Sequence, residues 1–170
     1  MRVALLTISD RSFRGERADQ GGPAVEAALV RLFGGSEIDI VERRVLPDEQ
    51  DDIEWNLRRL ADSDVADLVL TTGGTGLSPR DVTPQATRAV VRYEVPGLVE
   101  AMRAATRAAV PTAILSRQVA GVRERTLILN LPGSPRGAVE CLEVVASVIT
   151  HAVATLRGWN ENHPTRSEVV

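Results

Sequence analysis

LVLTTGGTGLSPRDVTPQAT, residues Leu68 to Thr87, joins an apolar run, three glycines within four positions, an Arg-Asp pair and a Thr-Pro pair. The apolar run, extended back to Ala66, reads as a buried strand through Thr72, and Thr83-Pro84 reads as an N-cap followed by a first helical residue. The stretch is therefore a strand, a glycine-rich turn and a helix, the unit from which α/β domains are built. Gly73, Gly74 and Gly76 let the backbone enter left-handed conformations and approach a ligand, while Thr72 and Thr75 add hydroxyls beside exposed N–H groups. By local sequence alone the turn is either an anion-binding nest or a flexible connection. It is neither a lysine P-loop nor a G-x-G-x-x-G dinucleotide turn.

On either side the alternation repeats. VALLTIS (Val3 to Ser9) is a buried strand, and the polar residues 10–22 after it form a long surface loop. A helix follows, with Gly22 as N-cap and Pro23 in its first turn, stopped by Gly34-Gly35. EIDIVERRVL (Glu37 to Leu46) alternates as a half-buried strand near a sheet edge does. After Pro47 a helix buries Ile53, Leu57 and Leu60, with Asp48 as candidate N-cap. The helix begun at Thr83-Pro84 runs through Val91, and another runs from Val95-Pro96 to about Ala109. PTAILSRQVAGV reads as a short strand and turn, and Arg125 to Pro132 as a buried strand. Ser134-Pro135 opens a long helix with Leu142, Val145, Ile149, Val153 and Leu156 on one face.

A chain of 170 residues fits one domain. The pattern predicts a three-layer α/β/α sandwich around a mostly parallel sheet over residues 1–158, with a polar C-terminal tail at 159–170. Parallel strands share a carboxyl edge, which is where open α/β sheets bind ligands. That edge would gather Ser9 to Arg11, Asp48, Thr72 to Gly76 and Asn130 to Pro135.

Composition narrows the chemistry. All 20 basic residues are arginine, so neither a P-loop lysine nor a Schiff base is available. One cysteine and two histidines disfavour a zinc site, so any metal would be a hard cation held by carboxylates. Cys141 reads as a small core residue. A net charge of −3 and 3% aromatic residues argue against nucleic-acid binding. No apolar run approaches the ~20 residues of a membrane span, and the polar opening is unlike a signal peptide. A cytoplasmic protein without membrane association is expected. A nicotinamide oxidoreductase is disfavoured because no dinucleotide fingerprint follows the first strand.

With Thr83 and Pro84 starting the helix, Asp81 has no capping task. It is then either a solvated surface residue or, beside a glycine nest, a ligand for Mg2+, which takes one or two carboxylates together with phosphate oxygens and water. Asp48, also just past a strand end, is the natural second carboxylate, with a plain helix cap as its alternative. Pro132, Gly133 and Ser134 lead into a helix N-terminus, which favours anions, although Ser134 also reads as an ordinary cap. Arg11 and Arg117 are candidates for bidentate phosphate contacts or simple surface residues.

TISDRS, LPDEQ, TTGGTGLSPRDVTPQAT, PTAILSRQVAGV and LILNLPGSP occur in the order found in the Mog-type molybdopterin adenylyltransferases, which include the G domain of gephyrin and its plant counterpart. The chain resembles that family from Val3 to about Leu156. The resemblance implies a homotrimeric α/β protein that binds molybdopterin and Mg-ATP and transfers AMP to the pterin's terminal phosphate, releasing pyrophosphate. The product would pass to a metal-insertion enzyme. It implies Asp48 and Asp81 as the functional acids, both holding Mg2+. Ser9, Asp10, Thr72, Gly73, Gly74, Thr75, Gly76, Ser116, Arg117, Pro132, Gly133 and Ser134 would cradle pterin and phosphates. The alternative is a non-catalytic molybdopterin carrier of the MoaB type; intact RDVTP favours the enzyme.

Overall fold

Three apolar runs make the centre of the sheet: β1 (Arg2–Ile8), β3 (Leu68–Thr72) and β6 (Thr126–Leu131), buried throughout except for half-buried Arg2. The computed structural model describes residues 1–35 and 37–159. β2 (Asp39–Leu46) flanks β1 in parallel at one edge, while β5 (Ala120–Arg123) and β4 (Tyr93–Glu94) complete the other edge antiparallel. The order is β2-β1-β3-β6-β5-β4. Four of six strands are parallel, as the buried, β-branched runs predict.

Alternation along the strands divides the core. Val3, Leu5, Leu68, Leu70, Leu127 and Leu129 face α2 (Gly21–Phe33), α5 (Pro96–Thr106) and α6 (Pro135–Arg157). Ala4, Leu6, Ile8, Val69 and Ile128 face α3 (Gln50–Asp62) and α4 (Thr83–Val90). This is the expected three-layer sandwich, and each fully buried leucine contributes roughly 1.5–3 kcal/mol. By length and composition α6 could cross a membrane, but Leu142, Val145, Ile149 and Val153 lie in the core against the sheet. It is a core helix of this domain.

Several boundaries differ from the sequence reading. The loop at 10–22 contains α1 (Asp10–Phe13), capped by the Ser9 hydroxyl, which accepts from the Ser12 N–H at 3.2 Å. α2 starts two residues before Pro23, and Gly22 is not its cap: the Asp19 carboxylate accepts from the N–H groups of Gly21 and Gly22 at 2.9 and 3.1 Å. Residues Pro111–Leu115 form a 3-10 turn rather than a strand, and the strand begins later, at Ala120. α5 ends at Thr106. Two-residue β4 carries no periodic signal that sequence reading could use. Ser134 caps α6 as expected, accepting from the Gly137 N–H at 3.2 Å. The predicted tail lies outside the described residues except for Trp159.

At the amino edge of the sheet, Asp67 and Arg157, with side chains 1% and 4% exposed, pair at 2.5 Å. Asp67 also accepts from the Arg2 backbone N–H at 2.6 Å and from its guanidinium at 2.8 Å. The buried carboxylate is thus met by two cations, which ties α6 to the sheet at the pole opposite the glycine turn.

Candidate active site at the carboxyl edge of the sheet

The parallel strands deliver the four predicted loops to one place. Past β1 and β2, Asp48 accepts from the Asp10 N–H at 2.8 Å while Asp10 accepts from the Asp48 N–H at 3.0 Å. Asp48 is therefore not the cap of α3, whose N-cap is Glu49 without a side-chain bond. The Thr72 hydroxyl donates to the Pro132 carbonyl at 2.7 Å, joining the loops after β3 and β6. Gly73 has φ +105°, and a Cβ there would lie 2.2 Å from the Ile8 carbonyl oxygen. At Gly74, φ +62°, a Cβ would meet the Thr83 hydroxyl at 2.4 Å and Asp48 Oδ1 at 3.1 Å. Only glycine allows this packing.

Thr83 corrects a second capping expectation. α4 is preceded by Val82, and the buried Thr83 hydroxyl instead donates to the Gly73 carbonyl at 2.9 Å. Pro84 does occupy the first turn. The side chain that reads locally as a cap therefore locks the glycine turn.

The TGGTG turn contributes to two cavities. A small polar one of about 220 Å³ is lined by Ser9, Thr72, Gly73, Gly74, Gly133 and both acids, Asp48 and Asp81. A larger, mainly apolar one of about 670 Å³ takes Thr75, Gly76, Ser116, Pro132 and Ser134. Asp10 and Arg117 line neither. Asp10 stands behind Asp48. Arg117 directs two of its donors to loop carbonyls, with Nε on Gly76 at 2.7 Å and Nη2 on Asp81. Arg11 is exposed and also lies outside both cavities.

Burial pushes the Asp48 carboxyl above its ordinary range, reinforced by the charges of Asp10 and Asp81 and opposed by the Asp10 N–H and Arg80. For Asp10 burial also pushes upward, but the Asp48 N–H and the Arg80 guanidinium outweigh it and hold the group low. Arg80 bonds Asp10 at 2.9 Å and Glu49 at 2.8 Å, closing the Asp81 turn onto its neighbours. Asp81 Oδ2 accepts the Ser78 N–H at 2.8 Å. No cluster of three or more metal-ligating side chains occurs among the described residues. Two carboxylates on one polar cavity, with half-buried Asp48 destabilised first by burial and then by its neighbours' charge, nevertheless suit Mg2+, which completes its shell with water and phosphate oxygens. Cys141 lines the larger cavity, and burial pushes its thiol upward, so it is protonated at neutral pH and not a nucleophile.

Several residues escaped the sequence reading. Arg17 lines the small cavity, and its guanidinium forms no ion pair among the described residues. Nothing periodic marks it in a polar loop. Asp19 lines the same cavity, and its place two residues before Gly21 is an Asx-cap signal that could have been read. Asn130 is a fully buried hub: its amide donates to the Thr71 and Thr87 hydroxyls at 3.0 and 2.9 Å, and its Oδ1 accepts the Val119 N–H at 3.1 Å.

Residues 4–151 match the family described as probable molybdopterin binding domain. The chain is 48% identical over 149 residues to the molybdopterin adenylyltransferase of Haemophilus influenzae, covering 85% of this chain and 73% of that one. It is 47% identical over 161 residues to the molybdopterin adenylyltransferase of Escherichia coli K12, covering 90% and 80%. Among solved structures, the molybdopterin biosynthesis enzyme MoaB of Thermus thermophilus superposes with a TM-score of 0.85 at 50% identity, covering 92% and 96%. A family match that spans most of the chain, on a fold whose sheet edge carries the family's motifs, makes this chain a member of the molybdopterin-binding domain family.

Proposed function

We propose that this protein is a molybdopterin adenylyltransferase of molybdenum cofactor biosynthesis, transferring AMP from ATP to the terminal phosphate of molybdopterin and releasing pyrophosphate. The observation that carries this reading is the placement of Asp48 and Asp81 on one small polar cavity, with the same glycine turn lining a larger apolar cavity beside it. Its relatives named molybdopterin adenylyltransferase support it.

The nucleophile is a phosphate oxygen of the pterin substrate. It bonds to the α-phosphorus of ATP while the bond from that phosphorus to the α,β-bridging oxygen breaks, and pyrophosphate leaves with the electron pair. No protein nucleophile is required, consistent with a protonated Cys141 and the absence of lysine. The protein's task is to hold two polyanions together. Asp48 and Asp81 would hold Mg2+, which when bound neutralises charge on the triphosphate. Arg17 adds a fixed positive charge on the small cavity, where the phosphates belong. The apolar wall of the larger cavity, with Leu77, Val110 and Leu115, suits a ring system. The Asp10–Asp48 clasp sets the orientation of one acid and the Ser78 N–H that of the other. The working protein would be a cytoplasmic homotrimer handing its adenylylated product to a metal-insertion enzyme.

The second reading is a molybdopterin carrier without turnover. A carrier has no use for two carboxylates, Asp48 and Asp81, facing one polar cavity, which favours the enzyme. Purified protein mixed with molybdopterin, ATP and Mg2+ should form adenylylated pterin and pyrophosphate in equal amounts. Tight pterin binding with neither product would establish the carrier instead.

A further inference from the structure

We infer that Arg117 is a positioning residue that fixes Asp81 in place from the side of the larger cavity, and so links that cavity mechanically to the small one. The inference rests on the adenylyltransferase reading for its consequence, but the clamp itself is a property of the free protein.

Three bonds define the clamp. The Arg117 N–H donates to the Thr75 carbonyl at 2.9 Å, Nε donates to the Gly76 carbonyl at 2.7 Å, and Nη2 donates to the carbonyl of Asp81. One half-buried side chain thus holds both ends of the segment from Gly76 to Asp81. That segment is closed internally by Ser78, whose carbonyl accepts the Asp81 N–H at 2.9 Å and whose N–H reaches the Asp81 carboxylate. Its shape is local, but its position is not. Besides Arg117, the Thr83 N–H reaches the Gly74 carbonyl at 3.2 Å, and exposed Arg80 reaches Asp10 and Glu49. Exposed pairs of the latter kind are weak and screened by salt.

The residues on either side of Arg117 belong to the other cavity. Ser116 and Gln118 line it. Ser116 is held by Arg103, which donates to its carbonyl at 3.2 Å, and Gln118 donates to the Asn130 carbonyl at 3.0 Å. The backbone of 116–118 is therefore anchored to α5 and β6 while the side chain between reaches across to the Asp81 turn. Charge-assisted bonds to backbone carbonyls suit this task, because they define position without adding a ligand group. A displacement of about 1 Å at a catalytic group can cost on the order of 100-fold in rate.

The test compares wild type with Arg117→Ala and Arg117→Lys. In the free proteins, amide hydrogen exchange of peptides covering residues 76–83 should accelerate about tenfold or more in Arg117→Ala, without change in the strands. Calorimetry should show ATP binding without Mg2+ unchanged and the tightening that Mg2+ brings largely lost. Molybdopterin affinity, read by fluorescence titration, should stay within about threefold, while kcat falls on the order of 100-fold. Arg117→Lys retains one donor group and should fall between the two in exchange and Mg2+ response; it also serves if the alanine variant melts early. Unchanged exchange at 76–83 overturns the clamp. A tenfold loss of molybdopterin or Mg2+-free ATP affinity with an intact Mg2+ response overturns it in favour of direct phosphate contact. If wild type makes no adenylylated pterin while the exchange difference persists, the catalytic reading fails and the clamp stands.

Discussion

Asp48 and Asp10 each accept the other's backbone N–H, at 2.8 and 3.0 Å, so the loops after β1 and β2 are clasped by two reciprocal carboxylate bonds. Of the two acids only Asp48 lines the small cavity, and only Asp48 is pushed above its ordinary range, first by burial.

This asymmetry predicts the behaviour of Asp48→Asn. The amide oxygen still accepts the Asp10 N–H, but the charge that burial, Asp10 and Asp81 disfavour is gone. A carboxyl whose folded pKa is raised favours the folded state at low pH, and that contribution is lost as pH rises through the raised value. The variant should therefore melt no lower than wild type at neutral pH, and its relative advantage should shrink on acidification. Its turnover should fall roughly 100-fold or more, because half of the proposed cation site is removed. Melting curves across pH 4–8 together with turnover check this; a lower melting temperature at every pH would make Asp48 a structural residue.

Gly73→Ala should be among the most damaging small substitutions. Its φ of +105° disfavours any L side chain, and the new Cβ would sit 2.2 Å from the Ile8 carbonyl oxygen, on a buried strand that cannot move aside. Strain and overpacking together should cost about 3 kcal/mol or more, read by urea denaturation. Gly97→Ala, with open space around its Cβ, is the control and should be nearly neutral.

Asn130→Ala strands three buried partners at once: the Thr71 and Thr87 hydroxyls and the Val119 N–H. At roughly 1–3 kcal/mol for each group left unsatisfied, and with some relief from hydroxyl rotation, the loss should be about 3 kcal/mol. Equilibrium unfolding measures it. The Val119 N–H loses its acceptor, so its amide exchange should rise, while the Gln118 bond to the Asn130 backbone carbonyl is kept.

Asp67 sets an acid limit on stability. Burial pushes its carboxyl upward, but the hydrogen bonds from Arg2 and the nearby Arg157 charge outweigh this and hold it below the usual carboxylate range. A lowered folded pKa contributes stability at neutral pH that is lost as pH falls below the ordinary carboxylate value and through the folded one. Asp67→Asn removes the buried one of the two carboxylates that meet Arg157, leaving it Asp64, and should cost about 1–3 kcal/mol at neutral pH. The gap to wild type should close in acid. A gap that stays constant from pH 7 to pH 2 would show that packing, not charge, is responsible.

Much of the architecture was legible because it depends on local patterns. The apolar runs at 3–8, 68–72 and 126–131 declare buried strands, the Pro-marked starts of α4, α5 and α6 declare helices, and Ser134 caps α6 as its position suggests. The motifs TGGTG, RDVTP and LPGSP named the loops at the carboxyl edge. What stayed illegible are choices between partners that local sequence leaves equal. Asp48 stands shortly before α3 and Thr83 at the first position of α4, and each reads as a cap, yet one accepts an N–H from the loop after β1 and the other holds the carbonyl of Gly73. Arg117 reads as a surface or phosphate-binding arginine, and its carbonyl partners lie 36 and 41 residues away.

Strand and helix order, the glycine positions and the family are all written in the linear chain, because periodicity, backbone conformation and motif spacing are properties of short stretches. Which side chains face a cavity and which hold the loops together is settled in three dimensions alone. Those roles follow from the parallel pairing of β1, β3 and β6, which brings distant loops within hydrogen-bonding range, and from the energetic demand that every polar group buried there find a partner.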